Sequence, residues 1–273
     1  MSASRKRKRL GQHFLVDTQV IDEILLLIRP QINQTLVEIG PGRGALTDHL
    51  IRSSAELHAV EIDPDLVQEL QKLFSPDALT IHHADALKFD YSSVKCENQE
   101  LRIVGNLPYS ISTPLMLHLV KFTDIIEDMC FMVQYEVAER LTARCGTSSY
   151  GRLTVCVTRA FEVETIFHVE PDAFSPPPEV RSSVIVMRPK PLIAFDSDSE
   201  RIFSELVRLA FGKRRKTLRN SLNGVIDVAM FQETGIDAGL RAENLSVENF
   251  MELAKCAVAR DSKRKTKVMT HHD

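Results

Sequence analysis

No hydrophobic run in this 273-residue sequence approaches the roughly 20 residues that a membrane-spanning helix needs. The longer runs, such as Ile24 to Ile28 and Val184 to Met187, are far shorter, and no membrane span is expected. The amino-terminal basic run Arg5 to Arg9 is followed by Leu10-Gly-Gln-His-Phe-Leu-Val-Asp17, which lacks the sustained apolar stretch and small-residue cleavage site of a secretory signal. The five cysteines, Cys96, Cys130, Cys145, Cys156 and Cys256, are odd in number and never spaced as a CxxC pair. They read as reduced packing thiols in a cytoplasmic protein, and no metal site is expected. Internal repeats are lacking, and so is a strong charge of either sign: 34 basic residues against 37 acidic ones leave a net charge of -3. With 44% hydrophobic and 26% charged residues, the composition is that of an ordinary globular chain, long enough for one large domain and a smaller one.

A near-neutral sum argues against a nucleic-acid partner at face value, but distribution matters more than the total. Basic residues concentrate in three places: Arg5 to Arg9, Lys213-Arg-Arg-Lys216 with Arg219, and Lys263 to Lys265 with Lys267. Lys213, Arg214, Arg215, Lys216 and Arg219 form the candidate RNA-binding run, with a merely solvated face as the alternative.

Apolar residues recur at helical spacing from Val20 to Ile28, with Asp17 or Thr18 as cap and Pro30 as stop. Strands and helices then alternate. Strands are expected at Leu36 to Ile39, Leu57 to Ile62, Leu79 to His82, Arg102 to Val104 and Met129 to Val133. Helices are expected from Pro64 to Phe74, near Pro114 to Phe122, and from Glu136 to Ala143. This alternation predicts a parallel sheet covered on both faces. Leu153 to Ala160 fits either period. Glu162 to Phe167 and Ser183 to Arg188 read as an antiparallel hairpin closing the sheet, separated by the Pro-rich loop Phe174-Ser-Pro-Pro-Pro178. A polar linker near Pro189 to Glu200 precedes three segments of helical spacing. The expected organisation is an α/β domain over 1–190 and a small all-helical domain over 191–273.

Three motifs carry chemistry. Glu38-Ile-Gly-Pro-Gly-Arg-Gly44 sits at a strand-to-helix junction, where glycines admit a ligand close to the backbone and a helix start offers free N–H groups. Glu61, about twenty residues on, is placed to accept ribose hydroxyls. The spacing is GxGxG and not the GxGxxG of dinucleotide-binding dehydrogenases, although a structural glycine turn remains an alternative. Asp85 follows the third strand and suits an exocyclic amine, such as that of adenine; a helix cap or turn is the plainer reading. Asn106-Leu-Pro-Tyr109 ends the fourth strand. Methylating an aromatic amine requires its lone pair to be drawn out of conjugation, and the Asn106 side-chain oxygen and the Pro108 carbonyl can each accept one N–H. Tyr109 offers a flat face to an unstacked base.

Asn106 to Tyr109 resembles the [DNS]PP[YF]-type motif of S-adenosylmethionine-dependent amino-methyltransferases. With Arg9-Leu-Gly-Gln-His-Phe-Leu15, Val37 to Gly42, Tyr150-Gly-Arg152, Phe174 to Val180 and Phe211 to Asn220, the chain resembles the ribosomal RNA adenine dimethyltransferases, within them the branch acting on the bacterial small subunit. The resemblance implies a Rossmann-like methyltransferase domain, a mostly parallel seven-stranded sheet with helices on both faces, joined to a helical domain that binds RNA. It implies S-adenosylmethionine as cofactor, held by His13, Leu15, Gly40, Gly42, Glu61, Asp85 and Asn106. It implies Asn106, Leu107, Pro108 and Tyr109 at the reacting amine, and Phe174 as a second aromatic sandwiching the target adenine with Tyr109. His13 stands where the family often has Asn. The implied reaction gives N6,N6-dimethyladenosine at two adjacent adenosines near the 3′ end of small-subunit rRNA, in an assembling 30S subunit, by a cytoplasmic monomer. A large-subunit adenine methyltransferase, a nicotinamide-dependent dehydrogenase and a non-catalytic assembly factor are the rival readings.

Overall fold

Leu36, Val37 and Ile39 are almost wholly buried because they form a strand with neighbours on both sides. The computed structural model describes residues 12–53, 56–96, 99–191, 195–213 and 215–269, with side chains described as far as Arg260. Arg5 to Arg9, Arg214 and the side chains of Lys263, Arg264, Lys265 and Lys267 lie outside the described residues. The chain forms two compact units, one of residues 1–142 and 161–190 and the other of residues 143–160 and 191–273.

The first unit is built on strands β2 (Thr35–Ile39), β3 (Glu56–Glu61), β4 (Thr80–His83), β5 (Leu101–Asn106), β6 (Ile126–Gln134), β7 (Phe161–Val169) and β9 (Ser182–Pro189). They form one sheet in the order β4-β3-β2-β5-β6-β9-β7. Every pairing up to β6 is parallel, and β9 runs antiparallel to both of its neighbours. The expected closing hairpin is therefore present, with β9 inserted between β6 and β7. Burial follows position: β2 is buried at every residue, whereas the edge strand β7 alternates along its length. β3 and β4 extend the sheet to one side of β2 and β5 extends it to the other. The crevice beyond the carboxyl ends of β2 and β5 is thus the switch point at which open α/β sheets bind ligands.

Helix α1 (Thr18–Ile28) starts where the Asp17 carboxylate accepts the N–H groups of Gln19 and Val20, and it buries Ile21, Ile24 and Ile28. Pro64 opens α3 (Pro64–Leu73) behind the Asp63 cap, after the short α2 (Thr47–Ile51). α4 (Ser112–Leu119) and α5 (Tyr135–Leu141) follow β5 and β6. One pairing has no counterpart in the sequence pattern. β1 (Phe14–Leu15) runs antiparallel to β8 (Phe174–Ser175), tying the amino-terminal segment to the Pro-rich loop. Strands of two residues are too short to show a period.

The second unit requires a correction to the expected boundaries. Residues 143–160, assigned by pattern to the first domain, group with the helical unit, and Leu153 to Ala160 belong to helix α6 (Arg152–Ala160). The reason is packing. Tyr150 and Val155 are buried in a cluster with Phe203 and Leu206 of α7 (Ser197–Gly212) and Phe250 of α10 (Val247–Met269). The Tyr150 hydroxyl donates to the Leu245 carbonyl at 2.9 Å, and Arg159 pairs with Glu200 at 2.8 Å. The short helices α8 (Leu218–Ser221) and α9 (Val228–Thr234) contribute Leu218 and Phe231 to the same core.

Candidate active site

β2 delivers the chain into Gly40, Gly42 and Gly44, all with positive φ. Their conformation is one that a side chain would strain, and space is also tight at Gly42, where a Cβ would come within 3.1 Å of the Phe14 ring. Phe14 is held over this loop from β1, with the Arg43 guanidinium 4.8 Å from its ring centre. Gly105, distant from the loop in sequence but on the adjacent strand, is tighter still. A Cβ there would lie 2.4 Å from the Ile39 carbonyl oxygen, so β5 approaches β2 as closely as it does only because this residue is glycine. The motif Gly105-Asn-Leu-Pro-Tyr109 displays this residue, but nothing in spacing alone marks it as the strand-packing glycine.

The cavity at this switch point has a volume of about 470 Å³, in the range of small-ligand sites. His13, Leu15, Gly40, Gly42, Glu61 and Asp85 all line it, as do Asn106, Leu107, Pro108 and Tyr109. Glu61 ends β3, and its Oε1 accepts the N–H groups of Ile62 and Asp63, each at 2.9 Å. Burial pushes its carboxyl up, while the backbone N–H groups of Asp63, Ile62 and Gly42 pull it back. Asp85 uses Oδ1 to accept the Leu87 N–H at 3.0 Å, which realises the plain turn reading and leaves the second oxygen without a donor among the described residues.

Asn106 is oriented from the other side of the cavity mouth. Its Nδ2 donates to the His13 backbone carbonyl at 3.0 Å. Because a carbonyl only accepts, the amide nitrogen must face His13, and Oδ1 is the atom left for a ligand. The His13 ring is itself occupied, with Nδ1 2.8 Å from the Pro176 carbonyl, and it lies 5.5 Å from the Tyr109 ring. The Tyr109 hydroxyl is 2.8 Å from Ser182 Oγ, which fixes the plane of the phenol ring.

Two expected roles meet obstacles. The Pro108 carbonyl, expected to receive an amine N–H, already accepts the Ile111 N–H at 3.0 Å and the Ser112 hydroxyl at 3.2 Å as α4 begins. Both lone pairs are thereby used. The adjacent Leu107 carbonyl has no donor among the described residues, since Leu107 only donates its N–H to Met132. Phe174 does not line the cavity. It is 3% exposed, packed with Leu15, Ile21 and Ala173, and it anchors β8 instead of presenting a free face; its neighbour Ser175 reaches the wall.

Two residues stand inside the quoted motifs without a role of their own in the sequence pattern. Glu38, beneath the glycine loop, is wholly buried and accepts the Thr47 hydroxyl at 2.6 Å; desolvation pushes it up to about 7. Gln12 Oε1 is buried at the cavity wall with no hydrogen-bond partner among the described residues. An orphaned acceptor, buried carboxylates and a glycine cradle fit a ligand carrying hydroxyl, amine and cationic groups, as S-adenosylmethionine does. In the helical unit, Lys213, Arg215, Lys216 and Arg219 are exposed and take part in no ion pair among the described residues.

A family model described as ribosomal RNA adenine dimethylase matches residues 3–258. A ribosomal RNA small subunit methyltransferase A from Nitrosospira multiformis is 48% identical over 249 residues, 90% of this chain and 94% of that one. A protein of the same description from Alcanivorax borkumensis is 47% identical over 254 residues, 93% of this chain and 91% of that one. Among solved structures, a dimethyladenosine transferase from Plasmodium falciparum is similar with a TM-score of 0.73 at 25% identity, covering 88% of this chain and 96% of that one.

Proposed function

The chain belongs to the ribosomal RNA adenine dimethylase family, whose members are S-adenosylmethionine-dependent enzymes, and we propose that it dimethylates N6 of two adjacent adenosines near the 3′ end of small-subunit rRNA in an assembling 30S subunit. The observation that carries this reading is the fixed orientation of Asn106, whose side-chain oxygen is freed toward the cavity by the bond from Nδ2 to His13.

Bound S-adenosylmethionine supplies a methyl group on a positively charged sulfur, an electrophile that needs no further activation. The protein's task is therefore positioning. Asn106 Oδ1 accepts one N–H of the target amine and the Leu107 carbonyl accepts the other, which withdraws the nitrogen lone pair from the adenine ring. Leu107 takes this part because the Pro108 carbonyl is consumed in starting α4. Tyr109, held by Ser182, provides the face on which the extruded base lies. After the first transfer the amine retains one N–H, so the second transfer proceeds with one of the two acceptors satisfied. Glu61 holds the cofactor's ribose, Asp85 its adenine, and Gln12 supplies an acceptor to a cofactor donor. No strong base is required, since the attacking nitrogen becomes acidic only as the N–C bond forms. Lys213, Arg214, Arg215, Lys216 and Arg219 contact rRNA phosphates, and the enzyme acts in the cytoplasm as a monomer.

The test is to incubate the protein with S-adenosylmethionine and small subunits from a strain lacking this modification, then quantify N6,N6-dimethyladenosine by mass spectrometry. Product with the wild-type protein and none with Asn106→Ala is expected. Absence of product despite measurable cofactor and subunit binding would overturn the reading.

A further inference from the structure

Four carboxylates line the cavity, those of Glu38, Asp48, Glu61 and Asp85, and against them stands Arg43, the only arginine or lysine on the wall among the described residues. Asp48 is taken by Arg52, one helical turn on, whereas Arg43 is exposed and has no carboxylate partner among the described residues. It is nevertheless held in place. The Pro41 carbonyl accepts the Gly44 N–H at 2.9 Å, so Gly42 and Arg43 form the corner of a turn, and the guanidinium rests 4.8 Å from the centre of the Phe14 ring. Phe14 is tied down in turn by the pairing of β1 with β8. A guanidinium steadied on a ring at a cavity wall, with its donors unclaimed, is a receptor for an oxyanion.

The order of the strands identifies the oxyanion. Asp85 follows β4, Glu61 ends β3, Gly40 follows β2 and Asn106 ends β5, and these four strands are neighbours in that order. Adjacent strands lie about 4.8 Å apart. With adenine at Asp85 and ribose at Glu61, the sulfur of S-adenosylmethionine therefore comes to lie over β2 and β5, where its methyl group faces Asn106. The amino-acid arm continues from the sulfur. The wall left for it is the glycine loop and the amino-terminal segment, which carry Arg43 and Gln12. Gln12 is two residues from Phe14, at most about 7 Å between Cα atoms.

Arg43 and Gln12 are complementary to the two groups in which that arm ends. A carboxylate only accepts hydrogen bonds and an ammonium only donates them. The Arg43 guanidinium only donates, in a fork that matches a carboxylate. Gln12 Oε1 only accepts, and it is buried with no donor among the described residues. An RNA phosphate would satisfy the guanidinium alone, since a phosphodiester carries no donor for Gln12 Oε1.

We propose that Arg43 holds the α-carboxylate of S-adenosylmethionine and Gln12 Oε1 its α-ammonium, so that the cofactor is recognised at its amino-acid end as a zwitterion. This inference deepens the proposed function and rests on its placing of adenine at Asp85 and ribose at Glu61. The clamp anchors the arm at the end away from adenine. The sulfur is then fixed from both sides, which keeps the methyl group in line with the target amine.

The experiment is isothermal calorimetry with three ligands: S-adenosylmethionine, its decarboxylated analogue, which keeps the amine, and 5′-methylthioadenosine, which lacks the amino-acid arm. Wild type is expected to bind S-adenosylmethionine about five- to thirty-fold more tightly than the decarboxylated analogue, the range of a charge-assisted hydrogen bond. Arg43→Ala should lose that preference, binding S-adenosylmethionine more weakly and the other two ligands as wild type does. Arg43→Lys, which keeps the charge and loses the planar fork, should retain only part of it. Gln12→Leu should weaken both amine-bearing ligands and leave 5′-methylthioadenosine unaffected; wild-type affinities there would overturn the ammonium contact. An Arg43→Ala protein that keeps the wild-type preference, or that weakens all three ligands alike through damage to the loop, would overturn the clamp. So would normal cofactor binding by Arg43→Ala with a raised KM for small subunits, which would give the guanidinium to an RNA phosphate. Glu61→Gln should weaken all three ligands. Unchanged affinities in that variant would overturn the proposed placing of the ribose, a failure read separately from the Arg43 preference.

Discussion

Replacing Glu38 by glutamine tests the electrostatics of the cavity without removing any atom that packs there. The Glu38 carboxyl is wholly buried and pushed up from 4.5 to about 7, chiefly by desolvation; the Thr47 hydroxyl opposes this and Glu61 adds to it. A folded value above the unfolded one means that folding takes up a proton between those two pH values. Stability from this group is fully present below pH 4.5 and is lost as pH rises through 7. The gap is worth about 3 kcal/mol at about 1.4 kcal/mol per pH unit. Glu61 is pushed up by burial and acts in the same direction, whereas His58 and His82 are pushed down by burial and favour the folded state as pH rises toward 6.5. The His58 and His82 contributions are common to wild type and variant and cancel in the difference, whereas the loss of repulsion between Glu38 and Glu61 adds to the stabilisation of the variant at high pH. The amide introduced by Glu38→Gln retains an oxygen for the Thr47 hydroxyl and never ionises. Calorimetric melting of the ligand-free proteins should give nearly coincident temperatures at pH 5 and a variant more stable at pH 8. At about 2–4 °C per kcal/mol, the separation at pH 8 is about 6–12 °C. Parallel melting curves from pH 5 to 8, or a variant that is the less stable at pH 8, would refute the reasoning. A carboxylate that lowers stability in this way is consistent with a ligand whose sulfonium is positive.

Three further outcomes follow from the geometry. Gly105→Ala places a methyl group 2.4 Å from the Ile39 carbonyl, so β2 and β5 must separate; the cost should be about 1–3 kcal/mol in stability with a clear loss of cofactor affinity, read by calorimetry, and normal affinity would show that the strand spacing is immaterial. Glu61→Gln keeps the size of the side chain and removes its charge, and S-adenosylmethionine should bind at least about ten-fold more weakly, as expected for loss of hydrogen bonds to a charged group. Unchanged binding would remove Glu61 from the ribose role. Reversing Arg215 and Arg219 to glutamate should weaken binding to small subunits and flatten the slope of log K against log salt by about 1.4 to 1.8; an unaltered slope would mark them as a solvated face.

The parts of this site that can be read in the sequence are those encoded within a few consecutive residues. Gly40, Gly42, Glu61, Asp85 and Asn106 each end or follow a strand in a short motif, and strand ends meet at a switch point once the alternation of elements is recognised. What cannot be read depends on partners far along the chain. The freedom of Asn106 Oδ1 comes from the His13 carbonyl, 93 residues away in sequence. The resemblance implies a stacking role for Phe174, but pairing of its strand with Leu15 places it in the core. The engagement of the Pro108 carbonyl reflects how α4 starts, and Asn106 to Tyr109 carries no signal of which carbonyl that start consumes. Leu153 to Ala160 has an ambiguous period because its burial is set by helices that begin some forty and some ninety residues later.

That last segment has a bearing on how the protein is made. The polypeptide leaves the sheet unit after residue 142, returns at 161 and leaves again after 190. During synthesis α6 emerges long before α7 and α10, whose side chains are to bury Tyr150 and Val155. Until the carboxy-terminal third has been translated, those apolar surfaces have no permanent cover, and neither unit corresponds to a single contiguous stretch of message. A stop codon after Lys190 would thus yield a sheet unit trailing an unburied helix between β6 and β7. Such a product is expected to be aggregation-prone in the cell, where a contiguous domain of the same length would be released cleanly.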